Sequence, residues 1–131
     1  MASIVTAAAS IMITGGAVPA LAAFPTRDIS LAYGNSTATG EATFYDRSVG
    51  IAGTIRVTSG NCRRVYGQTV DTDGNILSYG SSGWKCNSTS TTQNYPMSIN
   101  ILANVRGGAY GVILQLQDDV NGEIDRQGLY R

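Results

Sequence analysis

The chain has 131 residues, 9 basic and 9 acidic, no histidine and two cysteines. That length predicts one domain. Zero net charge and 14% charged residues argue against nucleic acid as the main partner, and without histidine there is no Ser-His-Asp triad, Cys-His pair or imidazole metal site.

No charged side chain precedes Arg27. The alanine-rich apolar run at 4–18 is followed by Pro19 and by Ala20-Leu21-Ala22, a small-x-small cleavage signal. Residues 1–22 therefore read as a secretory signal peptide and 23–131 as a single exported domain, extracellular and off the membrane once the signal is removed. Gly15, Gly16 and Pro19 make the run a poor hydrocarbon span. An oxidising compartment predicts a disulfide between Cys62 and Cys86. It would close a loop of about 25 residues and contribute roughly 3.5 kcal/mol in the chain-entropy picture. Arginine outnumbers lysine 8 to 1, a bias expected of a GC-rich bacterial genome.

From Phe24 onward apolar residues alternate at period two, punctuated by glycine, asparagine and aspartate. Strands are expected at 28–33, 42–47, 49–58, 63–71, 76–80, 97–105, 110–117 and 124–130. Seven to eight short antiparallel strands predict an all-β fold, a small β-sandwich or partly open barrel with one disulfide. In 49–58 the residues Val49, Ile51, Ile55 and Val57 share a face, which Gly53 interrupts as a bulge. The polar stretch 87–94 reads as a crossing loop between sheets.

Three turns suggest pairings. A Gly107-Gly108 hairpin sets Ile99 against Leu116, Ile101 against Leu114 and Ala103 against Val112, with Asn100 against Gln115 on the other face. An Asn121-Gly122 turn sets Leu114 against Leu129, Gln117 against Arg126 and Asp118 against Asp125. An Asp73-Gly74 turn sets Val70 against Leu77 and Gln68 against Tyr79. It leaves Cys62 opposite Lys85, so a bulge at Gly67, Gly80 or Gly83 is needed to reach Cys86.

These registers put Leu102, Ile113 and Tyr130 in one apolar row on the outer face of a three-stranded meander, rimmed by Asn100 and Gln115. That row is the expected interaction surface unless 24–33 covers it. Asp118 and Asp125, like charges placed opposite each other, are the expected ligands if calcium binds; no other cofactor is expected. The plainer reading is a solvated turn, as for Asp71-Thr72-Asp73-Gly74-Asn75. Trp84 either packs over the disulfide or joins Tyr33, Tyr45, Tyr66, Tyr79 and Tyr95 in an aromatic platform for sugars. Arg63 and Arg64, adjacent on a strand, point to opposite faces, which argues against a shared anion site. Asn35-Ser36-Thr37 and Asn87-Ser88-Thr89 match the glycan-acceptor pattern and read as exposed polar loops.

The functional expectation is a secreted, non-catalytic domain acting by surface recognition, its partner a protein, a glycan or a second copy. The alternatives are an inhibitor of a secreted hydrolase, presenting the loop 80–84, and a small carboxylate-dependent hydrolase. The last needs two carboxylates about 5–9 Å apart in a groove.

Overall fold

A computed structural model describes residues 23–131, so the signal-peptide reading of 1–22 lies outside the described residues. The described strands are β1 (Thr26–Tyr33), β2 (Ser36–Phe44), β3 (Ser48–Val57), β4 (Cys62–Val70), β5 (Ile76–Ser81), β6 (Lys85–Cys86), β7 (Gln93–Leu102), β8 (Gly111–Asp118) and β9 (Gly122–Tyr130). They form two antiparallel sheets. One has four strands in the order β1-β2-β3-β7; the other has five, in the order β5-β4-β8-β9 with β6 on the flank of β4.

The core lies between the sheets and follows from period-two alternation. Ile29, Leu31, Phe44, Val49, Ile51, Ile55, Ile99 and Ile101 point inward from the first sheet, and Val65, Val112, Leu114, Leu116 and Leu129 from the second. β2 is the strand that the pattern places worst: expected at 42–47, it runs from Ser36 to Phe44. Its inner positions include only small residues before Phe44, because each neighbours bulk. Ala38 lies between Leu31 and Ile55, and Ala42 is opposite Ile51. Gly53 is not a bulge: it pairs directly with Gly40, and a Cβ on either would collide with the backbone of the other strand.

The expected β7–β8 hairpin does not form. β7 pairs with β3, with Ile99 opposite Ile51 and Ile101 opposite Val49. β8 pairs with β4, with Leu116 opposite Val65 and Leu114 opposite Gly67. The inward residues are those expected, but the two strands face each other across the core, and two facing strands show the same alternation as two paired ones. Gly107 and Gly108, with φ of 82° and 73°, turn the chain from one sheet to the other.

The β8–β9 hairpin forms in a register displaced by two. Leu129 faces Val112, Gln127 faces Leu114 and Arg126 faces Gln115; beyond Leu116 the displacement becomes three, and Asp118 faces Gly122. The loop is 119–121, closed by Gly122 at φ 76°, with an irregularity between Leu116 and Gln117. A displacement of two keeps every side chain on its face, so hydrophobic alternation cannot detect it. In the β4–β5 hairpin Gln68 faces Tyr79 as expected, while an irregularity after Thr69 sets Val70 against Ile76 instead of Leu77. Cys62 reaches Cys86 because an extra residue is absorbed around Gly83, whose φ is 77°. The disulfide is present, directly across the β4–β6 pair.

Both open edges of the sandwich are drawn together. On one side the backbone N–H groups of Ser30 and Ala32, on the free edge of β1, donate to Gln127 Oε1 (2.9 Å) and Asp125 Oδ2 (2.8 Å) of β9. On the other, Thr69 Oγ1 donates to the Leu102 carbonyl (2.7 Å), and Gly80 packs on Ile99 and Ile101. Side chains thus occupy backbone groups that would otherwise invite another strand.

Candidate functional site

The outward-facing positions of the five-stranded sheet carry an unusual set of residues. β4 presents Arg64, Tyr66 and Gln68, and β8 presents Ile113, Gln115 and Gln117, each half-buried. Tyr79 on β5 lies opposite Gln68 and is 67% exposed. The turn at Gly83 brings Trp84 onto the same face beside Arg64.

The side chains interlock. The Arg64 guanidinium carbon sits 4.5 Å from the centre of the Trp84 ring and 5.8 Å from that of Tyr66. Tyr66 and Tyr79 have ring centres 6.0 Å apart, tilted by 39°. Arg64 Nε donates to Gln117 Oε1 (2.7 Å), and Gln117 Nε2 donates to Gln115 Oε1 (2.8 Å). Stacking on aromatic faces and the amide relay hold a guanidinium that would otherwise lose several rotamers on binding. Beyond the relay, Arg126 is neutralised by Glu123 at 2.7 Å.

The expected row does not exist as a unit. Leu102 lies on β7 in the four-stranded sheet, exposed on that sheet's outer face with Asn100. Ile113 lies on β8 in the other sheet, opposite Gln68 and Gly128, and shares its face with Gln115 and Tyr130. Tyr130 is opposite Gly111, and its ring lies over Gly128, where a Cβ would come within 2.8 Å of the hydroxyl. Segment 24–33 forms the edge of the four-stranded sheet from Thr26 and reaches Tyr130, whose carbonyl accepts from Arg27 Nε (2.8 Å), while Leu102 and Tyr130 stay 59% and 46% exposed. Leu102 joins such a row only with β7 beside β8, and Tyr130 lies opposite Ile113 only without the two-residue displacement of β9.

Trp84 does not pack over the disulfide as core: it is 42% exposed. Arg63 and Arg64 point to opposite faces as expected, and Arg63 is buried in an ion pair with Asp118. Asp118 also accepts the N–H groups of Val120 (3.1 Å) and Asn121 (2.9 Å). Burial pushes its carboxyl up, but those two N–H groups and the Arg63 charge outweigh it and hold the group below the ordinary carboxylate value. Asp125 is not its neighbour. It lies opposite Leu116 and accepts from Ala32 N and Arg126 N. Asp71 ties its own turn, accepting from Asn75 N (2.8 Å) and Asp73 N (2.9 Å), which lowers its pKa against a smaller upward push from burial. Among the described residues no group of three or more Asp, Glu, His or Cys is placed to hold a metal ion.

Asn87 is not on an exposed loop. It is 2% exposed, donating Nδ2 to the carbonyls of Val57 (2.9 Å) and Thr91 (2.8 Å) and accepting from Thr89 N (2.9 Å). It braces the crossing into β7. Asn35, in the β1–β2 turn, is exposed as expected, but Ser36 after it is buried. A shallow depression of about 270 Å³ at the end of the sandwich near Arg106 and Tyr110 has Asp71 as its one lining carboxylate.

No protein-family model matches the chain, and searches of curated proteins and of solved structures return no match.

Proposed function

We propose that this chain is a non-catalytic recognition domain, exported with residues 1–22 removed, that binds a glycan on the outer face of the five-stranded sheet. The observation that carries the reading is the outward-facing strip Trp84–Arg64–Tyr66–Tyr79, exposed at Trp84 and Tyr79 and half-buried between them, set beside the side-chain amides of Gln68, Gln115 and Gln117. Aromatic rings offer flat apolar surface to the C–H face of a pyranose, and amides both donate to and accept from hydroxyls. A solvated outer face ordinarily carries interspersed charges of both signs; here rings and amides predominate.

The other readings have less support. The loop 80–84 lies along β4 instead of projecting, since Ser82 N donates to the Val65 carbonyl (2.9 Å) and Val65 N to Ser82 Oγ (3.0 Å). An inhibitory loop needs a protruding tip. A single carboxylate in the depression near Arg106 gives a hydrolase no acid–base pair there.

Trp84 is the sole tryptophan, so its fluorescence reports on the face without a label. Titration with a panel of soluble neutral and acidic polysaccharides is expected to give a saturable emission shift with at least one, weakened about tenfold or more by Tyr79→Ala. No shift with any member, with binding also absent by sedimentation against insoluble polymers, would overturn the proposal.

A further inference from the structure

We infer that the glycan is acidic, and that Arg64 takes its carboxylate. This rests on the reading of the face as a glycan site and names the ligand class that site selects.

Three observations converge on Arg64. Its Nε is spent on Gln117, but its two terminal amino groups have no hydrogen-bond partner among the described residues. The ion pairs found among the described residues are Arg63–Asp118 and Arg126–Glu123, so no carboxylate neutralises Arg64. The guanidinium is also held in place, stacked at 4.5 Å over Trp84 and near Tyr66, both rings of the proposed sugar platform. A fixed, planar, unneutralised fork among stacking surfaces matches a carboxylate in geometry as well as charge. A purely neutral polymer would leave that charge covered and unpaired, which is unfavourable. A uronic acid residue laid against the exposed Tyr79 ring or the face of Trp84 away from Arg64 would turn its carboxylate toward the fork.

Arg63 does not share this role, being inside the core. The sequence argument against a joint Arg63–Arg64 anion site therefore holds, while a site built on Arg64 alone stands.

The test compares polygalacturonate with the same polymer methyl-esterified, which keeps the sugar and removes the charge, and with dextran sulfate, a polyanion without carboxylates. Trp84 emission reads binding at fixed ionic strength. The expected result is that polygalacturonate binds at least about tenfold tighter than its ester. That ratio is expected to fall to near one in Arg64→Gln and to recover only partly in Arg64→Lys, which restores the charge but not the fork. A merely structural role for Arg64 would weaken both polymers equally and leave the ratio unchanged, which overturns the inference. Equal binding of acid and ester by the unaltered protein overturns it too, while leaving the glycan reading intact. Dextran sulfate binding as tightly as polygalacturonate, with the same loss in Arg64→Gln, overturns carboxylate recognition in favour of charge alone. Failure of every polymer to bind removes the glycan reading itself.

Discussion

Asp118→Ala is expected to destabilise the fold by about 3–5 kcal/mol, the range for removing one partner of a buried ion pair. Arg63 and Asp118 are both buried, with side chains 6% and 8% exposed. The carboxylate serves two roles at once: it neutralises the guanidinium and accepts two backbone N–H groups of the 119–121 turn. Deleting it leaves Arg63 with a charge inside the sandwich and one remaining contact, to the Cys62 carbonyl; its Nε already has no partner among the described residues. The loss therefore combines an uncompensated buried charge with two freed donors, each of the latter worth about 1 kcal/mol. Urea unfolding followed by far-ultraviolet circular dichroism measures it, with an unchanged slope confirming that the midpoint shift reflects stability. Adding Arg63→Met should recover part of the loss, because a neutral side chain of similar length no longer needs a counter-charge. A loss below about 1 kcal/mol, or no recovery in the double variant, would refute the account of a charge stranded in the core. The same pair gives stability a pH dependence. The folded-state pKa of Asp118 lies below its ordinary 3.8, so its contribution is complete above that value and is lost as pH falls through the depressed one. Acid melts of Asp118→Asn should accordingly show a shallower decline below pH of about 4 than the parent.

Replacing both cysteines by serine should cost roughly 3.5 kcal/mol in the chain-entropy picture while retaining the fold, read as a shift in urea midpoint; an unchanged midpoint would mean that the bond constrains nothing in the unfolded chain. Gly53→Val should cost at least about 3 kcal/mol or prevent folding, since its Cβ meets the backbone of β2; a tolerated substitution would show that β2 and β3 do not approach as closely as the Gly40–Gly53 pair indicates. Millimolar calcium should leave the melting temperature where chelator leaves it, because Asp118 and Asp125 accept from groups of the chain itself; a rise of several degrees would reveal a site these contacts do not account for.

What the sequence carried well was the face each residue occupies. Alternation sent Ile99, Ile101, Val112, Leu114 and Leu116 inward, and all are buried. What it did not carry was which strand lies beside which. Alternation at period two is the same for strands paired in one sheet and for strands facing across a core, so β7 and β8 were indistinguishable from a hairpin until β3 and β4 claimed their edges. The candidate site was half legible for the same reason. Arg64, Tyr66 and Gln68 are spaced by two on one strand, which suffices to put them on one face. The same alternation separates Arg63, which belongs to the core, from Arg64, which belongs to the surface. Trp84 could not have been placed from spacing at all. Its position over Arg64 depends on where the chain absorbs one extra residue, and Gly67, Gly80 and Gly83 were equivalent candidates in the sequence. Packing breaks the tie. A Cβ at Gly67 would crowd Ile101 and Leu114, and one at Gly80 would press on Ile99 and Ile101, whereas Gly83 has open space around it and a φ of 77°. The first two glycines exist to let strands approach, so the irregularity falls at the third, and it is this choice that carries the tryptophan to the guanidinium.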